Sequence, residues 1–266
     1  MKHGKILLVT VLLLGMNNST AHAALESSAG GTMIYDTDRN ITWVTDANLF
    51  RTQFIANPNL TSEIIAANSG IVQNLPNSYD GNDRVYNLNA SDFGTGDGRL
   101  NWFAAKAWVN SLEYGGISDW RLPTITDTGE AGCDESFSGT DCGDNVDTSG
   151  SELAHLFYDE LGLKAATSAN GEEQSGYGIT AETGTGFIQN IQTLVPYWSA
   201  TDYATDPSAA WDFWFHNGSQ SVDAKGARNF AWAIRDGDVA PVLVPGAIWL
   251  FGSTILGFAG IKRCKS

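Results

Sequence analysis

The chain has 266 residues, with 30 acidic against 15 basic side chains and a formal net charge of −15, a balance that argues against a nucleic-acid partner, which selects a basic surface. Aromatic residues make up 11% of the sequence and there are 29 glycines, which excludes a disordered chain and fits a loop-rich secreted β or α+β domain better than a helical bundle.

The N-terminus reads as an export signal. Lys2 and Lys5 form a basic n-region, Ile6 to Leu14 an unbroken run of apolar residues and threonine, and Ala21-His22-Ala23 a small-x-small cleavage site. Residues 1–23 are therefore read as a signal peptide and residues 24–238 as one extracytoplasmic domain. Two basic residues leave with the signal and three stand in the C-terminal tail, so the domain keeps 10 basic against 30 acidic residues, a formal charge near −20. Such a surface repels nucleic acid, acidic lipid and sulfated glycans and attracts divalent cations or basic partners.

Thr32 to Val44 predicts a hairpin, Met33-Ile34-Tyr35 and Ile41 to Val44 joined by a polar turn. The stretch from Phe50 to Gly98 is rich in Asn, Ser and Asp and reads as an irregular insertion. Asn101 is placed to cap a helix starting at Trp102, with Trp102, Ala105, Val109 and Leu112 on one face and Gly115-Gly116 at its end. Cys133 and Cys142 then bracket an Asp/Gly/Ser/Thr-rich segment, and in an oxidising compartment they read as a disulfide closing that loop. Zinc fits them poorly, because no second Cys pair or His lies nearby.

A second helix is expected from about Ser151, burying Leu153, Leu156, Phe157 and Leu161, and a loop covers Ala165 to Gly186. The pattern then changes to period two. Tyr197 to Thr201 is a strand, and Trp211, Phe213 and Phe215 alternate with Asp212, Trp214 and His216 before Asn217-Gly218, a two-residue hairpin signal. Strands over Gln220 to Asp223 and Phe230 to Arg235 complete an antiparallel C-terminal sheet. Last comes Val239 to Ile261, an uncharged run of 23 residues. As a helix it would be roughly 34 Å long, enough for a bilayer core of about 30 Å, with Lys262, Arg263 and Lys265 cytoplasmic and Cys264 across the membrane from the other two cysteines.

The order Tyr35-Asp36, Trp43, Asp46-Ala47-Asn48, Trp102, Ala105, Gly115-Gly116, Asp119-Trp120-Arg121-Leu122-Pro123-Thr124, Glu152-Leu153, Tyr197-Trp198-Ser199-Ala200-Thr201, Trp211 and Arg235 resembles the bacterial Lcl C-terminal domain family. The resemblance spans most of Gly31 to Asp238. It implies a C-type-lectin-like α+β fold, two helices packed on antiparallel sheet with long loops, and for some members adhesion to glycans. Trp120, Arg121, Pro123 and Trp198 are its structural motif residues. The tail, Val244-Pro245-Gly246-Ala247-Ile248-Trp249 with Lys262 and Arg263 behind it, is similar to PEP-CTERM sorting signals. That likeness implies an exosortase-type processing enzyme as a partner, and a protein that is either held in the bacterial cell envelope by the C-terminal transmembrane helix of residues 239–266 or released to the matrix.

A related fold hosts the formylglycine-generating enzymes, whose late cysteine pair has no counterpart between Cys142 and Cys264. Neither His155 nor His216 has a metal-protease spacing, and His155 reads as a structural or surface residue beside Leu156. No catalytic residue is assigned. Asp134, Asp141, Asp144 and Asp147 crowd one loop and suit either calcium, which takes six to eight oxygens, or simple hydration. No cofactor is certain from the residues, and calcium is the possible one. Trp214, with Tyr203, His216 and Asn217, is a candidate stacking platform for a sugar ring or else a second layer of core. Arg121 is expected to anchor its own loop rather than bind an anion. The reading that follows is a non-catalytic exported surface or matrix protein binding polysaccharide. Its alternatives are a calcium-assisted structural protein binding other surface proteins, and an enzyme on the related oxidase fold.

Overall fold

The computed structural model describes residues 25–73, 85–129, 141–180 and 185–239. Strands β1 (Leu25–Ser28), β2 (Met33–Asp36) and β3 (Ile41–Val44) run as an antiparallel meander. Two helices, α1 (Leu49–Ala56) and α2 (Leu60–Ala67), precede the short ladders β4 (Ile71–Gln73) with β5 (Val85–Asn87) and β6 (Phe93–Gly94) with β7 (Arg99–Leu100). Helix α3 (Trp102–Ser111) follows, then α4 (Glu152–His155), which runs directly into a π turn over Leu156–Glu160. Strands β8 (Tyr197–Asp202), β9 (Ala209–Trp214) and β10 (Ser219–Ala224) form a second antiparallel sheet, ordered β10-β9-β8. The last strand, β11 (Ile234–Asp236), returns to the first sheet, ordered β1-β2-β3-β11.

Several expectations meet their physical basis. Met33 and Val44 pair across the N-terminal hairpin, and every residue of β3 is buried. The Asn101 side chain accepts a hydrogen bond from Ala104 N at 2.8 Å, satisfying one of the free donors at the start of α3. Ser151 Oγ does the same for Ala154 N at 3.1 Å in α4.

The fold class is corrected. In place of two helices on one antiparallel sheet, the C-type-lectin-like arrangement, the described residues form four separate antiparallel sheets with short helices between them. Phe50 to Gly98 is not irregular: it carries α1, most of it within that stretch, then α2 and the two small ladders. Helix α3 stops at Ser111, and Gly115-Gly116 instead makes the turn between Tyr114 and Ile117, both glycines with positive φ. A Cβ on Gly115 would stand 2.4 Å from Met33 Cε. The membrane helix is corrected as well. Among the described residues no helix is long and apolar enough to cross a membrane, and residues 240–266, with Val244, Pro245, Trp249, Lys262 and Arg263, lie outside the described residues, as does the signal segment 1–23.

At the C-terminal hairpin, Trp214 pairs with Ser219, so the loop is the four residues Phe215 to Gly218 rather than Asn217-Gly218 alone. Only Gly218 has a positive φ, and its N–H donates to Trp214 O at 2.8 Å. A two-residue type I′ turn would need positive φ at both positions.

Two large apolar clusters hold these pieces. One gathers Phe50, Phe93, Trp102, Phe103, Trp108, Trp120 and Trp198 around α3. The other joins Trp43, Phe157, Tyr197, Phe213, Phe215 and Trp232 between the two sheets. The indole N–H groups are mostly spent on fixed acceptors: Trp102 donates to Ser199 O, and Trp198 to Leu100 O, each at 2.9 Å. These two bonds tie β8 to the first residue of α3 and to β7 just before it.

Asp212, in the middle of β9, is 1% exposed and accepts a hydrogen bond from Ser221 Oγ at 2.7 Å. Burial pushes its carboxyl up to about 7, above the 3.8 of an unperturbed Asp. The folded state therefore holds a proton that the unfolded chain has lost between pH 3.8 and about 7, and stability falls as pH rises through that window. Asp212→Asn should remove this slope, worth on the order of 2–4 kcal/mol between the two ends. Urea unfolding of both proteins at pH 4.5 and pH 8 checks it, and equal slopes would refute it.

Candidate functional site

The motif segment around Arg121 is fixed by a network of opposite charges. Arg121 Nη1 and Nη2 donate to Glu152 Oε2 and Oε1 at 2.8 and 2.7 Å, a two-pronged pair. The same guanidinium reaches Asp236, with Nε donating to Oδ1 at 3.1 Å. Glu152 Oε2 also accepts from Thr124 N at 2.6 Å and Thr124 Oγ1 at 3.0 Å. Burial works against the cation, but the two carboxylates outweigh it and hold the Arg121 pKa above its ordinary value. Beside it, Arg235 donates Nε and Nη2 to the two oxygens of Asp119 at 2.9 and 3.0 Å. The Arg121 backbone pairs with Ile234, which extends the first sheet past β11. Arg121 thus clasps three chain segments together, with its fork occupied by protein carboxylates. Pro123 is buried in the same turn, and Trp120, 4% exposed, donates its indole N–H to Ile117 O at 3.0 Å.

Next to this clasp opens a cleft of about 600 Å³ between the ends of α2 and β4, the outer side of α3 and Trp120 to Leu122. Its polar lining is Asn68, Ser69, Gln73, Lys106, Asn110 and Arg121, and Ile71, Val72, Val109 and Leu122 supply apolar wall. Asn68 fixes one side: its amide donates to Ile64 O at 2.9 Å and Ala107 O at 3.0 Å and accepts from Asn110 Nδ2 at 2.9 Å. Lys106 Nζ lies 4.1 Å from the Trp102 ring centroid. Desolvation lowers its pKa, against the pull of Asp202. The described residues lining the cleft include no carboxylate, histidine or cysteine. The cleft therefore offers hydrogen bonds and apolar contact, the combination typical of small-ligand pockets of this size.

Of the residues expected to carry a sugar platform, three stand together at one hairpin end and Tyr203 stands apart. Tyr203 is 8% exposed and packs edge-on against Trp211 with centroids 5.4 Å apart. Trp214, half-buried on β9, donates Nε1 to Ser221 Oγ at 3.3 Å. His216 is exposed in the hairpin loop with its ring 5.7 Å from that of Tyr177, and Asn217 Oδ1 accepts from Ser219 N at 3.1 Å. Trp214, His216 and Asn217 share the hairpin end, while Tyr203 sits in the cluster with Ile125 and Trp211.

The acidic loop is likewise spread out. Asp141 Oδ2 accepts from Thr128 N at 3.0 Å, Asp144 Oδ2 from Thr167 N at 3.0 Å, and Asp147 Oδ1 from Ser149 N at 2.9 Å. Each carboxylate serves a different backbone segment, and these three do not form a metal-ligating group among the described residues. Asp134 and Cys133 lie outside the described residues. Cys142 is fully buried and disulfide-bonded. The cleft was not legible beforehand, because Asn68 and Gln73 lie in a stretch whose amide-rich composition reads as loop, and nothing in the sequence brings them to Asn110 on α3.

No curated protein and no solved structure matches this chain. A family model described as the Lcl C-terminal domain matches residues 32–235, which takes in Arg121 and Glu152 of the clasp, the cleft lining, the second sheet, and the first sheet apart from β1 and the end of β11. The chain belongs to the Lcl C-terminal domain family, an assignment that fits an exported cell-surface protein.

Proposed function

We propose that this protein is a non-catalytic surface or matrix component that binds polysaccharide, with the cleft between α2, α3 and Trp120 to Leu122 as the binding site. The observation that carries this reading is the lining itself, the side-chain amides of Gln73 and Asn110 beside Lys106 over an apolar wall, with Asn68 held in place by its own hydrogen bonds. Asn and Gln side chains both donate and accept, as sugar hydroxyls do. The strongly acidic domain favours neutral over sulfated chains. A Cys133–Cys142 disulfide suits such an exported domain, and a non-reducing peptide map reads it directly.

A glycan array probed with the purified full-length protein, with and without calcium, tests the proposal. Selective, saturable binding is expected, and Gln73→Ala with Asn110→Ala should weaken it about tenfold, roughly 1.4 kcal/mol, without changing the unfolding midpoint. Loss of binding through Trp214→Ala with the cleft pair unaffected would move the site to the hairpin. Silence across the array from folded protein would favour a role in binding other surface proteins.

A further inference from the structure

Away from the cleft, three ionisable side chains meet inside the protein. Asp36 ends β2, His155 ends α4 and Glu160 ends the π turn, and one ligand atom from each lies within 4.8 Å of the others. The Asp36 and Glu160 side chains are 0% exposed and that of His155 is 8% exposed.

The π turn makes this meeting happen. In a regular α-helix residues five apart stand about 140° apart around the axis, so Glu160 would point away from His155. Here the helix widens over Leu156–Glu160, with Leu161 N–H bonding back five residues to Leu156 O at 3.0 Å. His155 consequently meets two carboxylates of its own segment. Its Nδ1 lies 2.8 Å from Asp159 Oδ2, and its Nε2 3.1 Å from Glu160 Oε1.

With Asp159 accepting from Nδ1–H, Nε2 presents its lone pair when a cation binds. That lone pair faces Glu160 Oε1 and, at 3.5 Å, Asp36 Oδ2. Three electron-rich atoms then point into one buried space. Asp36 Oδ2 and Glu160 Oε2 are buried with no hydrogen-bond partner, although Asp36 Oδ1 accepts from Asp38 N and Arg39 N. The nearby Arg39 guanidinium donates instead to the carbonyl oxygens of Thr148 and Ser149. Uncompensated buried carboxylate oxygens are costly, so the arrangement calls for a positive charge at its centre.

We propose that Asp36, His155 and Glu160 form a binding site for a divalent transition cation of the zinc type, with Asp159 orienting the imidazole from behind. The spacing fits this size of ion. Donors about 2.0–2.2 Å from a tetrahedral centre stand roughly 3.3–3.6 Å apart; Asp36 Oδ2 is 3.5 Å from Nε2, and Glu160 Oε1, at 3.1 Å, has only a few tenths of an ångström to give to admit the ion. One imidazole nitrogen with carboxylate oxygens suits zinc or a neighbouring transition metal, whereas calcium and magnesium prefer oxygen alone. The competing occupant is a shared proton: burial first, and the Asp36 charge second, push Glu160 up to about 7.

Zinc titration of the full-length protein at pH 7.5, stripped first with chelator, decides between them. The expected result is one tight zinc per chain, followed by calorimetry, with a zinc-dependent rise in the melting temperature. Glu160→Gln keeps the side-chain shape and should lower zinc affinity about hundredfold while the protein remains folded. Asp36→Asn, which keeps the turn acceptor, should do the same. Calcium at the same concentration should give neither binding at this site nor stabilisation. Absence of saturable zinc binding, or equal binding by wild type and both variants, overturns the proposal, as does a gain in stability from Glu160→Gln with no effect of zinc.

Discussion

Replacing Arg121 with methionine should destabilise the protein by about 2–3 kcal/mol, less than the roughly 3–5 kcal/mol for breaking a fully buried ion pair, since the Arg side chain is 30% exposed. The loss comes less from the charge itself than from what it leaves behind. Glu152 is 13% exposed on its side chain, and without the guanidinium fork it keeps only the Thr124 donors. Arg121→Lys should recover less than half of the loss, because an ammonium cannot serve both oxygens of Glu152 and also reach Asp236. Urea unfolding at neutral pH measures both variants. A methionine variant within about 0.5 kcal/mol of wild type would mean that the clasp is ornamental.

Trp232→Ala should cost about 4 kcal/mol, among the largest single effects in the molecule. The side chain is 0% exposed, packs against Trp43 at 5.0 Å and against Tyr197 and Phe215, and donates Nε1 to Val44 O at 2.7 Å. The neighbouring Trp43 provides an internal control. Its Nε1 is buried without a partner, so Trp43→Phe removes an unsatisfied donor along with some volume. Trp232→Phe gives up the same volume and breaks a hydrogen bond. It should therefore be costlier than Trp43→Phe by about 1 kcal/mol, and denaturant melts of the two single variants would expose the error if they cost the same.

What could be read in the chain beforehand was local and periodic. The α3 stripe and its Asn101 cap, the Met33 to Val44 hairpin and the alternation through β9 all express rules that act within a few residues. The misses each need information from elsewhere. Helices α1 and α2 have short apolar stripes in an asparagine-rich context, and they are held by tertiary packing of Phe50 and Ile64 rather than by propensity. Strand β11 has the alternation of a strand, but nothing in its own sequence says that it pairs with β3 instead of β10. The Asp212 face of β9 is covered by other segments, which leaves Trp214 half-buried at its end. The meeting of His155 with Glu160 was hidden by the helical period itself, since only the π turn brings residues five apart together.

The pairing of β3 with β11 also sets the order of events in the making of the protein. Trp43 stands opposite Ile234, some 190 positions later in the chain. A polypeptide emerging N-terminus first, whether from a ribosome or a translocation pore, holds the Ile41–Val44 edge without its neighbour until nearly the whole domain has appeared. Trp232 and Asp236, which complete the inter-sheet core and the Arg121 clasp, arrive at the same late moment. Contacts of such long range fold slowly. The nascent chain therefore stays loosely structured while it is threaded, and it locks only after its last strand is through.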